Sequence, residues 1–232
     1  MNKKTKLFSV ATATILGTSL VTSGGIHANA ISNPNTSNIQ AGYYYINGME
    51  YQVPNSEIYN FVNENRITNL PHDTSNISTS SNKGDARKVK PTAGCDQGEW
   101  VFTAKRTASG FKLGDSGTRV INKTSKDLTE TSKLSSSTTI SGKVTGSGKW
   151  NWGVIEATAG FEIGGSVTWT TEESTTITVS PGEWGWIDYG AYTETWEGDH
   201  YYVTPTCKIQ DKKRIKVIGP KYKAKLARTE KF

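Results

Sequence analysis

The sequence predicts an all-β protein: an elongated antiparallel sheet or sandwich with long Ser/Thr-rich strands, an amphipathic hairpin and a small N-terminal preface. Hydrophobic residues make up only 34% of the chain, while Gly, Ser and Thr are abundant. Between Gly117 and Ser180, apolar residues alternate with polar or small ones, which is the period of a strand because successive side chains leave opposite faces. No proline interrupts the chain between Pro91 and Pro181.

Residues 1–30 match a secretory signal peptide. A charged start precedes an apolar middle at about 7–21, and Ala28-Asn29-Ala30 fits a cleavage site; the charged residues are Lys3, Lys4 and Lys6. We therefore expect a secreted protein, exported as in Gram-positive bacteria. Removal of the peptide takes three of the lysines that contribute to the formal net charge of +6.

A small N-terminal segment is predicted at 31–69. Tyr43 to Tyr51 surround Asn47-Gly48, which predicts a β-hairpin. A short helix through Ile58 and Phe61 is expected to follow, with Ser56 as its cap.

Residues 70–94 are predicted to be a disordered linker, because Asp73 to Ser81 is almost entirely Ser, Thr and Asn. Exposed polar linkers attract proteases, and Arg87-Lys88 is the obvious target for activation by cleavage. The alternative is a plain spacer.

The main β domain is predicted at 95–232. Cys95 and Cys207 are the only cysteines, and in an exported protein a single disulfide is the expected pairing. Strands are predicted at 99–107 and 111–122, with a tight turn at Gly114-Asp115-Ser116-Gly117. The dense aromatics of 183–203 suit a core or sheet face, and alternatively carbohydrate stacking.

The centre of the domain predicts two antiparallel arms. Apolar residues fall on even numbers up to Val154 and on odd numbers from Ile155, and this slip predicts a bulge. Gly146-Ser147-Gly148 is the expected reversal. Each arm is either one long ribbon or several strands bent at glycines; the candidate bends are Gly142, Gly153 and Gly164-Gly165.

This stretch resembles the pore-forming region of aerolysin-like β-pore-forming toxins of the epsilon-toxin and mosquitocidal-toxin type. Ser/Thr-rich arms flank a Gly-containing amphipathic hairpin, and the second arm closes on Val179 to Gly182. The resemblance covers roughly 118–203. It implies that several copies assemble on a target membrane and insert this hairpin to form a pore. The implied membrane hairpin comprises Ile140, Val144, Trp150, Trp152, Val154, Ile155, Ala157, Ala159, Phe161 and Ile163, with Glu156, Thr158 and Glu162 facing the lumen.

The C-terminal tail is basic. We expect its cations to attract an anionic cell surface, such as teichoic acid or anionic lipid, although a merely solvated face is the alternative. The cations predicted to bind this surface are Lys212, Lys213, Arg214, Lys216, Lys221, Lys223 and Lys225.

Catalytic and cofactor motifs are not evident. The three histidines are His27, His72 and His200, too few for a zinc set after export, and no Gly-rich phosphate loop is present. We expect no enzyme activity, no catalytic or metal-binding residues, no cofactor and no nucleic-acid partner. The expected partners are a target membrane or anionic cell surface and, in the active form, further copies of the chain. The alternative function is a secreted, non-enzymatic β-sandwich module that binds cell-wall polymer, glycan or protein.

Overall fold

The structure is a computed structural model that describes residues 39–72, 97–146 and 148–232. The predicted signal peptide, most of the predicted linker with Arg87-Lys88, and Cys95 lie outside the described residues. The disulfide between Cys95 and Cys207 therefore stays a prediction.

The predicted all-β class is confirmed, because antiparallel strands dominate the described chain. The strands are β1 (Ile39–Ile46), β2 (Met49–Gln52), β3 (Glu99–Ser116), β4 (Val120–Asn122), β5 (Leu128–Lys133), β6 (Thr138–Ser141), β7 (Lys143–Thr145), β8 (Ser166–Trp169), β9 (Ser174–Val179), β10 (Glu183–Val203) and β11 (Ile209–Lys231). A 3₁₀ turn (Asn55–Glu57) leads into α1 (Ile58–Val62), and α2 spans Trp152–Ala159.

One long sheet forms the body of the protein, in the order β2-β1-β11-β10-β3, with β4 added to β10 and β7 to β11. β10 has 21 residues and β11 has 23. At about 3.3 Å per residue, strands of this length extend for about 70 Å. They are joined by a tight connection in which the Thr204 N–H donates to the Lys208 carbonyl at 2.9 Å.

The N-terminal preface is a hairpin and a short helix, as predicted. Asn47 and Gly48 both have positive φ (52° and 79°), as a two-residue I′ turn requires. The predicted Ser56 cap is not found, since no side-chain cap bond is formed at α1. β1 pairs with β11, so the preface belongs to the long sheet. Leu70 is only 3% exposed and belongs to the apolar cluster that includes Tyr44 and Phe61, so the predicted linker does not begin at this residue.

The predicted turn at Gly114 to Gly117 is wrong. β3 continues through Ser116, and a register shift against β10 between Tyr189 and Gly190 takes up the irregularity. The Ser116 hydroxyl donates to Asp188 Oδ1 at 2.6 Å.

Three apolar clusters lie along the long sheet. The first joins the preface to the sheet through Tyr44, Phe61 and Tyr192. The second forms between the sheet and the region of α2, and the third between the sheet and strands β5, β8 and β9. The aromatic residues of β10 therefore serve as core, as predicted; Trp196, Tyr189 and Tyr192 are buried.

Candidate functional site: the hairpin arms and the segment between them

The two predicted arms exist and pair with each other. We call β5–β6 (128–141) and β8–β9 (166–179) the arms. Leu128 pairs with Val179 at one end, and Ser141 pairs with Ser166 at the other. Equal stretches, 134–137 and 170–173, separate the two ladders on either side. No residue is therefore gained or lost, and both ladders share one register.

Each arm has one buried and one exposed face, as the alternation predicts. Ile140, Trp169 and Ile177 are at most 3% exposed. Trp169 and Ile177 belong to the third apolar cluster, and Ile140 lies beside Gly114 of β3. Threonines line the other face, where the Oγ1 atoms of Thr129 and Thr178 lie 3.0 Å apart. The pair Thr139 and Thr168 repeats this arrangement at the same distance. The arms are thus an amphipathic ribbon with its apolar side against the body.

Polar contacts add to this attachment. The Trp169 indole N–H donates to the Gly190 carbonyl at 2.7 Å, and the Tyr189 hydroxyl donates to the Ser132 carbonyl at 2.8 Å. Glu173, between β8 and β9, forms an ion pair with Lys223 of β11. Burial pushes the pKa of Glu173 upward, but hydrogen bonds from Lys223 and Thr170 outweigh it and hold this pKa below its usual range.

The segment between the arms, residues 142–165, is not a hairpin in this form. We call it the tip segment, and we call the arrangement in which it packs on the body the closed form. β7 pairs with β11, with Val144 opposite Val217. α2 replaces the first part of the predicted second arm, so the predicted bulge between Val154 and Ile155 is wrong. The strand pairing that a reversal at 146–148 would produce is not observed either, because β6 pairs instead with β8.

Helix signals in the sequence explain α2. The Asn151 side chain accepts a hydrogen bond from the Val154 N–H at 3.2 Å, as an N-cap does. Gly160 ends the helix in the left-handed conformation with φ 76°. Ile155 and Ala159, one helical turn apart, are both buried. This pattern was hidden beneath the period-two alternation.

The lipid-facing residues predicted for the tip segment are largely buried in the closed form. They pack against Phe102, Trp196 and Val217 of the long sheet; the buried members are Ile155, Ala159, Phe161 and Ile163. Val144, Trp150 and Val154 are partly buried beside them. Trp152, which is 48% exposed, and Ala157 face outward.

The residues predicted to face a lumen have structural contacts in the closed form. Glu156 Oε1 accepts a hydrogen bond from the Ile163 N–H at 3.0 Å. Thr158 is buried, and its hydroxyl donates to the Val154 carbonyl at 2.9 Å. Glu162 is exposed. A lumen role for Thr158 thus requires a form other than the closed one.

Two open clefts lie along the edges of the tip segment. A cleft of about 250 Å³ lies between its Lys149 and Trp150 and the sheet residues Trp100, Asp211 and Lys213. A second cleft, of about 240 Å³, separates residues 160–167 from Pro220 and Lys221.

The predicted anion-binding surface is smaller than the sequence suggested. Lys212, Lys213, Arg214 and Lys216 are exposed at the start of β11. Lys212 pairs with Asp199 at 3.1 Å, and Lys216 pairs with Glu197 at 3.3 Å. The three later lysines are drawn inward by carboxylates: Lys221 pairs with Glu194, Lys223 with Glu173 and Lys225 with Glu50.

Glu194 lies at the centre of a buried charge cluster. It is fully buried and accepts from both Arg106 and Lys221 at 2.9 Å. Trp196 Nε1 donates to its other oxygen at 3.0 Å. Its carboxylate thus offsets two cations whose side chains are 8% and 7% exposed.

We expect Glu194→Gln to lower the free energy of unfolding by about 3–5 kcal/mol, because removal of one partner leaves buried charge uncompensated. Urea denaturation measures this change. Glu197→Gln is the matched control on the same strand: its partner Lys216 is half exposed, so its loss should cost less than about 1 kcal/mol. Equal losses for the two variants would contradict this role for Glu194.

Two further properties of the described residues bear on function. They contain no helix long and apolar enough to cross a membrane. They also contain no cluster of three or more His, Cys, Asp or Glu residues suited to a metal ion.

Comparison of the chain with protein-family models, with curated proteins and with solved structures finds no match in any of the three. Function is therefore inferred from residues and geometry alone.

Proposed function

We propose that this protein is a secreted pore-forming protein in which the tip segment leaves the body and extends the arms into one long β-hairpin that inserts into a target membrane. Several copies would combine to form the pore. The observation that supports this best is the register of the arms. It continues across the tip segment in a way that sorts apolar from polar residues.

The arms' register, prolonged beyond Ser141 and Ser166, brings the apolar residues of both sides of the tip segment onto one face. Directly opposed residues of antiparallel strands share a face. The pairs produced on this face are Val144 with Ile163, Gly146 with Phe161, Trp150 with Ala157, and Trp152 with Ile155. The alternate pairs are Lys143 with Gly164, Thr145 with Glu162, Lys149 with Thr158, and Asn151 with Glu156. Membrane hairpins need this separation of faces.

The same register leaves Gly153 and Val154 as a two-residue turn. A II′ hairpin turn has glycine at its first central position, and Gly153 stands there. The change from even to odd apolar positions then follows from the turn. Neither a bulge nor a reversal at 146–148 is needed.

The length of the tip segment also fits. Residues 142–152 and 155–165 would form the two extended strands, and a membrane-spanning strand needs about 9–11 residues. Burial of Ile155, Phe161 and Ile163 in hydrocarbon would replace their burial against the body. The transition is therefore an exchange of apolar environments, which a membrane can drive by binding one state only.

The alternative function, a secreted binding module, is favoured by a different observation. The first cleft combines two indoles, of Trp100 and Trp150, with polar groups that carry a net positive charge: the ammonium groups of Lys149 and Lys213 and the carboxylate of Asp211. Aromatic faces beside a few polar groups are typical of ligand sites, and here an anionic glycan unit would fit. Co-sedimentation with purified cell walls in the absence of any membrane activity would favour this alternative.

The experiment for the proposed function is dye release from liposomes, with and without limited proteolysis of the chain. We expect Gly153→Ala to reduce release. In the closed form Gly153 is helical with space around it, so alanine should stabilise that form by about 0.5–1 kcal/mol. Alanine at the first position of a II′ turn requires unfavourable positive φ.

Gly164→Ala is the control, because this glycine has open space around it in the closed form and lies outside the proposed turn. It should release dye like the wild type. No release by wild-type protein from neutral or anionic liposomes, whether cleaved or intact, would overturn the proposal. Unchanged release by Gly153→Ala would overturn the proposed turn.

A further inference from the structure

His200 is a buried histidine at the contact between the tip segment and the body. It lies on β10, opposite Phe102 of β3 and Lys213 of β11. It is only 1% exposed. Its ring stacks on Trp100 with centroids 4.7 Å apart and 16° between planes. Trp150 of the tip segment meets this ring edge to face, with centroids 5.6 Å apart.

His200 also accepts a hydrogen bond from the tip segment. The backbone N–H of Asn151 donates to His200 Nε2 at 3.4 Å. Asn151 is the residue that caps α2, so this bond fixes the start of the helix. An imidazolium carries a proton on both ring nitrogens and therefore cannot accept the bond.

The charged and titratable groups around this site come from each neighbouring element. Lys149 belongs to the tip segment, Asp211 and Lys213 to β11, and Tyr202 to β10, where it contacts Trp100. β3 contributes Trp100, which is uncharged. Among the hydrogen bonds formed by the described residues, no carboxylate bonds to His200, so no such partner stabilises its protonated form.

The consequence for pH can be worked out from these contacts. Burial lowers the pKa of His200 below its ordinary value of about 6.5. Once the tip segment has left and no longer covers His200, this pKa would return toward that value. Protons then bind the released form more readily, so the closed form is fully stable above about pH 6.5 and loses stability as pH falls below it.

We propose that His200 is an acid-sensitive latch: its protonation breaks the contact with Trp150 and Asn151 and releases the tip segment. The biological use of this latch rests on the proposed function, but release of the tip segment from the body can be measured on the protein without a membrane. The condition that opens the latch is low pH, as in an acidified compartment or at an acidic surface of a target cell.

Hydrogen exchange of the backbone amides of residues 149–159 tests the latch without a membrane. Between about pH 7.5 and about pH 5, where histidine titrates, we expect exchange corrected for its intrinsic rate to rise several-fold in the wild type. His200→Phe, which keeps a flat ring between the tryptophans, should remove this rise. His72→Gln is the control, because His72 lies in the preface against Tyr51, and it should retain the rise.

The His200 imidazole resonance of the wild type provides a second measurement that needs no variant. Its titration midpoint should coincide with the midpoint of the exchange increase. Flat corrected exchange in the wild type, an undiminished rise in His200→Phe, or a midpoint that differs from that of the imidazole would overturn the latch. Dye release over the same pH series separates the two proposals. If hydrogen exchange rises in acid but no dye is released, the pore proposal is wrong and the latch proposal stands. If dye is released but hydrogen exchange does not change with pH, only the latch proposal is wrong.

Discussion

A disulfide between positions 144 and 217 is expected to abolish dye release until it is reduced. Val144 of β7 faces Val217 of β11 in an antiparallel pair, and these strands part when the tip segment leaves the body. Opposed residues in such a pair have Cβ atoms about 4.5–5.5 Å apart, so a small adjustment permits a disulfide. The variant Val144→Cys/Val217→Cys should therefore release dye only after a reductant is added.

A second cysteine pair supplies the matched control. Thr129 and Thr178 face each other across the arms, on the exposed side, with their hydroxyls 3.0 Å apart. The arms keep this register in both the closed form and the extended hairpin. Thr129→Cys/Thr178→Cys should accordingly release dye when oxidised. It also reports any effect of the reductant on the predicted native disulfide.

Calcein release from liposomes, measured for both variants before and after reduction, distinguishes the outcomes. If the oxidised 144–217 variant releases dye as fast as the same variant after reduction, the tip segment need not leave the body. Loss of release in the oxidised 129–178 variant would show that the arms separate. Either result contradicts the proposed movement.

The arms could be predicted from sequence because each of their residues obeys one local rule. Ile140, Trp169 and Ile177 are buried while the intervening threonines are exposed, as the alternation requires. The tip segment obeys two rules at once. Its apolar residues alternate as in a strand, yet Asn151 and Gly160 cap a helix that buries Ile155 and Ala159. Packing against the body selects the helix, and this packing cannot be read from the segment itself.

The register of the arms could not be predicted either. It depends on which residue of one arm faces which residue of the other, and the sequence offered Gly146-Ser147-Gly148 as an equally good turn. The basic tail was misjudged for a related reason. The carboxylates that draw Lys221, Lys223 and Lys225 inward lie far away in the sequence, at Glu194, Glu173 and Glu50.

The double pattern of the tip segment also has a consequence for its conformation. A segment whose sequence has the residue patterns of both a helix and a strand can change from one structure to the other when its surroundings change. The arms have only the strand pattern, so they stay paired. Their register then sets the pairing of the tip segment when it extends. The closed form then differs from the proposed extended form mainly within residues 142–165, which include β7, while the other strands of the long sheet stay in place.

Ala157→Arg is expected to reduce dye release by at least about tenfold. A charged side chain on the lipid-facing side of a membrane strand costs about 2–4 kcal/mol at the middle of the bilayer and less near its interfaces. Ala157 is exposed on α2, and arginine is nearly as favourable as alanine in a helix, so the closed form should keep its stability. In the extended register position 157 faces Trp150 on the apolar side. The penalty would arise in every copy of the assembly.

Thr145→Arg is the matched control for this variant. Thr145 is equally exposed in the closed form, but the extended register places it opposite Glu162 on the polar side. Its release should stay within about twofold of the wild type, because lumen-side substitutions alter selectivity more than insertion. Thermal denaturation of both variants checks that the closed form is intact. Equal loss in both would argue against a register that separates the faces, and loss in Thr145→Arg alone would mean that the two faces are exchanged.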